Sequence, residues 1–188
     1  MREEISSQLD ESMAVTENLK ESMKDIEAAV NLIVKTFKTG RKVLLCGNGG
    51  SAADCQHMAG EFVGRFKKER KALPAIALTT DTSIITALVN DYGGDIIFSR
   101  QVEALGREGD VLIAISTSGS SPNILKAIEK AKFLGMKVIG LTGEKGHGME
   151  KECDICVIAP SADTPRIQEA HLAVEHIICG LVEREMFK

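Results

Sequence analysis

The 188-residue chain has no tryptophan and a single tyrosine, which argues against a broad aromatic binding surface. It contains no run of 18 apolar residues and no basic-then-apolar amino terminus, so membrane insertion and secretion are disfavoured. No long basic block marks a nucleic-acid groove. The one candidate, Arg65–Lys71 (RFKKERK), includes Glu69 and follows a predicted helix, so it reads as a solvated linker. A net charge of -4 and a pI of about 5.6 agree with that reading. The cysteines are five, an odd and scattered set at Cys46, Cys55, Cys153, Cys156 and Cys179. Such a set is no disulfide framework and suits a reducing compartment. Cys153-Asp-Ile-Cys156 has the spacing of a zinc or redox pair, but it stands alone at the entrance to a strand and reads as structural. The segment Gly47–Ser51 (GNGGS) lacks both the six-residue dinucleotide fingerprint and the Lys-Ser/Thr ending of an ATP-binding loop, so nucleotide binding fits poorly. No internal repeat or low-complexity tail is present.

What remains is an apolar content of 44%, enough for one domain over residues 1–188 with a three-layer core. The most informative stretch is Val111–Ser121 (VLIAISTSGSS), an apolar run ending in five hydroxyl residues and one glycine. It reads as a buried parallel strand delivering hydroxyls to a helix N-terminus, a place suited to phosphate or another anion. Ser121 is the expected N-cap and Pro122 the first residue of a helix continuing through Asn123–Leu134.

Upstream, residues 1–39 lack glycine and carry Ile5, Leu9, Met13, Ile26, Val30, Ile33 and Phe37 at three- and four-residue spacings. This predicts two helices with a soft boundary near Leu19–Asp25, the second closed by Gly40. Strands are predicted at Lys42–Cys46, Pro74–Leu78, Val111–Ile115, Lys137–Leu141 and Ile155–Ala159. Helices are predicted at Ala52–Gly64, around Ile84–Leu88, and from about Pro165 to Phe187. Apolar strands alternating with helices specify a parallel sheet covered on both faces, with ligands outside the carboxyl ends of its strands.

Two acid–imidazole patches stand out because the chain has only four histidines. His57 and Glu61 lie one helical turn apart and share a face. They suit a divalent metal, a base, or a plain surface hydrogen bond. In the last helix, Gln168 and His176 fall on one face, while His171 and Glu175 form a second pair rotated away from it. His171 has a surface or interface position as its default. His147 lies in a flexible Gly-His-Gly turn. Asn90 and Asp91 end a helix and read as backbone caps or as contacts to a polyol.

At these residues the chain resembles the bacterial phosphoheptose isomerase (sedoheptulose-7-phosphate isomerase) family of the sugar-isomerase (SIS) superfamily. The similarity runs from about Leu9 to Met186. It is carried by LCGNGGSAADCQHMAGEFVGRF, ALPAIALTTD, ALVNDYG, REGDVLIAISTSGSSPNILKAI and RIQEAHLAVEHIICGLVE. The resemblance implies an α/β three-layer sandwich of flavodoxin-like type with a five-stranded parallel sheet. An N-terminal helical extension, residues 1–40, would contribute to oligomer packing. It further implies one zinc ion per subunit held by His57, Glu61, Gln168 and His176, although nickel, cobalt, manganese or iron would suit the same donors. Substrate contacts would come from Asn48, Gly49, Gly50, Asn90, Asp91, Ser116, Thr117, Ser118 and Ser121, with Glu61 and Gln168 shared between metal and sugar.

The implied reaction converts sedoheptulose 7-phosphate to D-glycero-D-manno-heptose 7-phosphate, the first step toward activated heptoses of lipopolysaccharide and other surface glycans. Glu61 and His176 are the expected acid–base pair, with Glu61 either base, ligand or both, and Asp163 a possible assistant. A cytoplasmic homotetramer with active sites at subunit contacts is expected, with no organic cofactor, nucleic acid or membrane involved. Two rivals remain at this level. One is a non-catalytic regulator that binds the replication initiator protein; retention of Glu61 and His176 counts against it. The other is an isomerase of another sugar phosphate.

Overall fold

The computed structural model describes all 188 residues, Met1–Lys188. Helix α1 (Arg2–Asn18) buries none of its residues. A short 3-10 turn, Leu19–Ser22, occupies the stretch where the hydrophobic pattern breaks, and α2 (Met23–Lys38) follows. Ile26, Val30, Ile33 and Phe37 of α2 are all buried, as their spacing predicts. Gly40, at φ 71°, ends the helix: its N–H donates to the Phe37 carbonyl and the Arg41 N–H to that of Thr36.

The remaining elements are β1 (Val43–Gly47), α3 (Gly50–Val63), β2 (Ala75–Ala77), α4 (Thr82–Tyr92), α5 (Ile97–Leu105), β3 (Val111–Ile115), α6 (Pro122–Phe133), β4 (Lys137–Gly143), α7 (His147–Glu150), β5 (Ile155–Ala159) and α8 (Thr164–Met186). Helix α3 starts two residues before the predicted Ala52, because Gly49 (φ 55°, ψ -120°) turns the chain straight into it. The Asp81 carboxylate caps α4 by accepting the Ile84 N–H at 2.9 Å. Helix α5 escaped prediction because it is nine residues long and buries few large apolar side chains, chiefly Phe98 and Val102. The Gly-His-Gly segment is no flexible turn: it opens the short helix α7, where His147 Nδ1 lies 3.0 Å from Glu150.

All strands run parallel in the order β2-β1-β3-β4-β5. The order reverses between β1 and β3, and the crevice outside their carboxyl ends is where such sheets bind ligands. Side chains alternate between faces. Val43, Leu45, Val111, Ile113 and Ile115 join α2, α3 and α8 in a core of 29 residues. Leu44, Cys46, Leu112 and Ala114 join α5 and α6 in a smaller one of 14. At the opposite end of the sheet, buried Asp110 ties β1 to β3. It accepts from the backbone N–H groups of Lys42 (3.0 Å) and Arg107 (2.9 Å) and pairs with the Lys42 ammonium.

The Arg65–Lys71 run is the linker between α3 and β2 with most of its charged side chains exposed, but its backbone and Arg70 are anchored. The buried carboxylate of Glu183, on α8, accepts the backbone N–H groups of Phe66, Lys67 and Lys68 at 3.0, 2.9 and 2.9 Å, and pairs with Arg70 at 3.2 Å. The same guanidinium donates to the end carbonyls of α3, at Glu61 (2.7 Å), Phe62 (2.6 Å) and Gly64 (3.1 Å). A partner more than 110 positions away holds this loop, so no local pattern announces it.

Candidate active site

Two polar groupings occupy the carboxyl-end side of the sheet. The first is the β3–α6 turn. Ser116 is buried, and its Oγ lies 3.2 Å from the Ser121 Oγ. Ser121 takes the N-cap position ahead of Pro122, yet its hydroxyl makes no capping bond. Its backbone carbonyl instead accepts from Ile124 and Leu125, leaving the hydroxyl for Ser116. Ser118 Oγ accepts from the Ser120 hydroxyl at 3.1 Å. Asn48, from the turn after β1, exchanges two amide hydrogen bonds of 2.9 Å with Asn123 at the start of α6, joining the two loops that face the crevice. Hydroxyls and the open N–H groups of a helix start together make a surface for an anion. A cavity of about 180 Å³ opens beside Thr117 and Ser118, with Lys145 and Thr164 on its wall.

The second grouping lies between α3 and α8. His57 and His176, 119 positions apart, bring their Nε2 atoms to 2.8 Å, so one nitrogen donates and the other accepts. Glu61 Oε1 lies 3.8 Å from the His57 Nε2. Phe66 packs against the His176 ring with centroids 5.8 Å apart. Gln168, two turns before His176 on α8, rests against Gly50: a Cβ at Gly50 would collide with its amide. That contact explains a glycine in the first turn of α3.

No three His, Cys, Asp or Glu side chains are grouped closely enough as they stand to hold a metal ion. The donors nevertheless fit a divalent ion of the zinc type. Nitrogens on one tetrahedral zinc stand about 3.3 Å apart, given Zn–N of about 2.0–2.1 Å. The two imidazoles therefore need to open only slightly, with the Glu61 carboxylate beside them and the Gln168 amide on the adjoining face.

Beneath this pocket lie groups whose places the sequence missed. His171 and Glu175 are neither surface nor interface residues, since both are fully buried. His171 Nε2 donates to the Thr142 carbonyl at 3.2 Å. Burial pushes its pKa down to about 4, a drop this hydrogen bond partly offsets. Burial, reinforced by the nearby Asp54 carboxylate, pushes Glu175 up to about 9. Asp54 is itself raised by burial, with His57 acting against the rise. Both Glu175 oxygens, the His171 Nδ1 and the Asp54 Oδ2 lack hydrogen-bond partners. The available signal was helical phase: His171 and Glu175 share the buried side of α8 with Ile167, Ala170, Val174 and Ile178.

Other expected residues stand apart. Asn90 donates to the Asp91 carboxylate at 2.8 Å on the last turn of α4, and both are exposed, so Asp91 caps no following helix. Asp163 is exposed at the start of α8, where its side chain makes no capping bond. Neither Asp163 nor the Asn90–Asp91 pair is hydrogen-bonded to the imidazole pair. Cys153 and Cys156 both crowd the space over Gly140, where a Cβ would meet their sulfurs at 2.7 and 3.0 Å.

A parallel α/β sandwich with a hydroxyl-lined turn at its switch point is the architecture of a SIS domain, and the SIS domain family model matches residues 9–143. The chain is 50% identical over 190 residues to the phosphoheptose isomerase of Clostridium acetobutylicum, an alignment covering 100% of this chain and 97% of that protein. It is 54% identical over 188 residues to that of Geobacter sp. (strain M21), with 100% and 98% covered. The solved phosphoheptose isomerase of Neisseria gonorrhoeae superposes with a TM-score of 0.92 at 40% identity, over 97% of this chain and 98% of that one. The chain belongs to the phosphoheptose isomerase family. No helix in it is long and apolar enough to cross a membrane.

Proposed function

We infer that the protein is an aldose–ketose isomerase that converts sedoheptulose 7-phosphate to D-glycero-D-manno-heptose 7-phosphate. The observation that carries this reading is the meeting of Glu61 with His57 and His176 across two helices, on the same side of the sheet as an anion-binding turn. The β3–α6 turn would hold the phosphate, converting remote binding energy into orientation of C1 and C2. Asn48, Gly49 and Gly50 line the adjoining loop, and Asn90 and Asp91 would meet the polyol.

The Glu61 carboxylate takes the C1 proton of the ketose and returns it to C2, through a cis-enediol. His176 donates a proton to the C2 oxygen and accepts one from the C1 oxygen, so the oxygen protons balance within one turnover. In the metal-free pair one proton lies between the two Nε2 atoms, 2.8 Å apart, carried by one ring and accepted by the other. Zinc, held by His57, Glu61, Gln168 and His176, would supply Lewis acidity at the sugar carbonyl. Glu61 and His176 each belong to both sets, so each would have to keep a lone pair or a proton for the substrate while the ion is bound.

Assembly as a cytoplasmic homotetramer completes this reading. Its support is the unburied α1, whose Ile5, Leu9 and Met13 are all more than half exposed. An apolar groove of about 510 Å³ lies beside it, lined by Leu19, Met23, Ile26, Val30 and Ile177. Five free cysteines fit a reducing compartment.

The test is an isomerase assay with sedoheptulose 7-phosphate on metal-stripped protein, repeated after zinc is added. Zinc-restored formation of the aldoheptose phosphate is expected. A folded protein that yields no product under either condition overturns the reading. Equal product under both keeps the isomerase and removes the metal from it.

A further inference from the structure

Behind the β3–α6 turn, at the carboxyl end of β4, Thr142 is completely buried and makes contacts that converge on that turn. Its Oγ1 donates to the Ser116 carbonyl at 2.7 Å, and the next residue's N–H, from Gly143, donates to the Thr117 carbonyl at 3.2 Å. Two successive carbonyls of the turn thus have donors on β4, and the Ser116 carbonyl also accepts the Gly119 N–H at 3.1 Å across the turn itself. In a trans peptide the N–H points opposite to its carbonyl. Holding those carbonyls therefore turns the N–H groups of Thr117 and Ser118 outward, and no protein acceptor meets either one. Successive outward N–H groups form an anion-binding concavity.

Thr142 is itself held from behind, because its carbonyl accepts the Nε2–H of neutral, buried His171 at 3.2 Å. The packing leaves no slack. Gly146 lies so close over Thr142 that a Cβ there would overlap it, and a Cβ at Gly119 would fall 2.5 Å from the Gly146 Cα.

We propose that Thr142 is a positioning residue for phosphate recognition: its hydroxyl sets the Ser116–Thr117 peptide so that the Thr117 N–H faces the substrate phosphate. This rests on the reading of the β3–α6 turn as the phosphate site. Thr142 touches no substrate. It acts through the backbone, and through His171 it joins the phosphate turn to the helix that carries Gln168 and His176.

The experiment compares wild type with Thr142→Val, Thr142→Ser and Thr142→Ala. Readouts are KM and kcat for sedoheptulose 7-phosphate, the competitive inhibition constant of inorganic phosphate, and Tm. Thr142→Val keeps the buried volume and loses the hydroxyl. It should raise both KM and the phosphate inhibition constant about 10-fold, the scale of one hydrogen bond to a charged group, with kcat within about twofold. Thr142→Ser keeps the hydroxyl and loses a buried methyl, so its Tm should fall while both constants stay within about twofold of wild type. Thr142→Ala should combine the two defects. Wild-type constants in the folded Val or Ala variant overturn the inference, and so do constants that follow Tm across the series. A wild-type enzyme that turns over the sugar but is not inhibited by phosphate overturns the phosphate site itself, and the inference falls with it.

Discussion

The β3–α6 turn draws its hydroxyls from a stretch of six residues, Ser116–Ser121, while the α3–α8 pocket draws on His57, Glu61, Gln168 and His176. The turn is braced by backbone bonds to β4 and an amide pair to the β1 loop. The pocket depends on how two helices are set against each other, which the Gln168–Gly50 contact and the Glu183 clamp help to fix. One region is organised to bind, with its carbonyls held by its own scaffold and its N–H groups left open. The other keeps imidazoles half-open over carboxyl groups of Asp54 and Glu175 that burial holds toward their protonated forms and leaves without partners for some of their oxygens. Binding and proton transfer are thus assigned to separately supported parts of one crevice, and substitutions should separate them.

The sharpest separation comes from Glu61→Gln, which leaves the turn untouched. Turnover should fall by about 10³-fold, within the usual span for loss of a positioned base, with KM within a few-fold and Tm nearly unchanged. Steady-state kinetics beside a thermal melt checks it, and near-normal turnover would remove Glu61 as the base.

Next in size is Glu183→Ala. It strips a buried carboxylate from Arg70 and from the three amides that hold Phe66 against His176. A loss of about 3 kcal/mol in folding stability is expected for breaking such a pair. Denaturant unfolding measures that loss. In protein that remains folded, kcat should suffer more than KM, because the disturbance lies on the imidazole side.

Ser121→Ala acts on the other side. Its hydroxyl caps no helix, so stability should hold while KM for the sugar phosphate rises about 10-fold, consistent with one charge-assisted hydrogen bond. A fall in kcat with KM unchanged would place Ser121 with the acid–base machinery instead.

A further test, independent of substrate, is a pH profile of stability in metal-free protein. Glu175, at about 9 when folded against an ordinary 4.5, binds a proton that the unfolded chain releases. Its contribution is present below about pH 4.5 and is lost as pH rises toward 9. His171, at about 4 against 6.5, does the reverse: its contribution is present above about 6.5 and is lost as pH falls toward 4. The two slopes oppose each other between about 4.5 and 6.5 and leave a falling limb above 6.5. Thermal melts should show that limb in wild type and a flatter one in Glu175→Gln; an unchanged limb would assign it to other groups.

Much of this was legible in the chain. The apolar runs at Val43–Cys46, Val111–Ile115 and Val138–Leu141 are continuous because parallel strands are covered on both faces. Gly40 and Pro122 marked a helix end and a helix start for local steric reasons. The serine turn could be read because its hydroxyls are contiguous. Local pattern failed where the partner was distant. Arg65–Lys71 keeps most of its charges in solvent as its composition suggests, but nothing local shows that Glu183 anchors its backbone and Arg70. His171 looked like a surface residue because its acceptor is a carbonyl on β4. Ser121 does take the N-cap position expected of it, but that its hydroxyl turns to Ser116 instead of capping could not be seen from spacing.

Neighbours along the chain suffice to specify the alternation of strands and helices, the hydroxyl-rich loop, and the i,i+4 pairing of His57 with Glu61. Only the tertiary structure decided that His176 would meet His57, that Gln168 would rest on Gly50, and that Thr142 would turn the Ser116 peptide. Those contacts bring together residues 26 to 119 positions apart. They exist because strand order and helix packing place them there, with burial rather than local propensity deciding the arrangement.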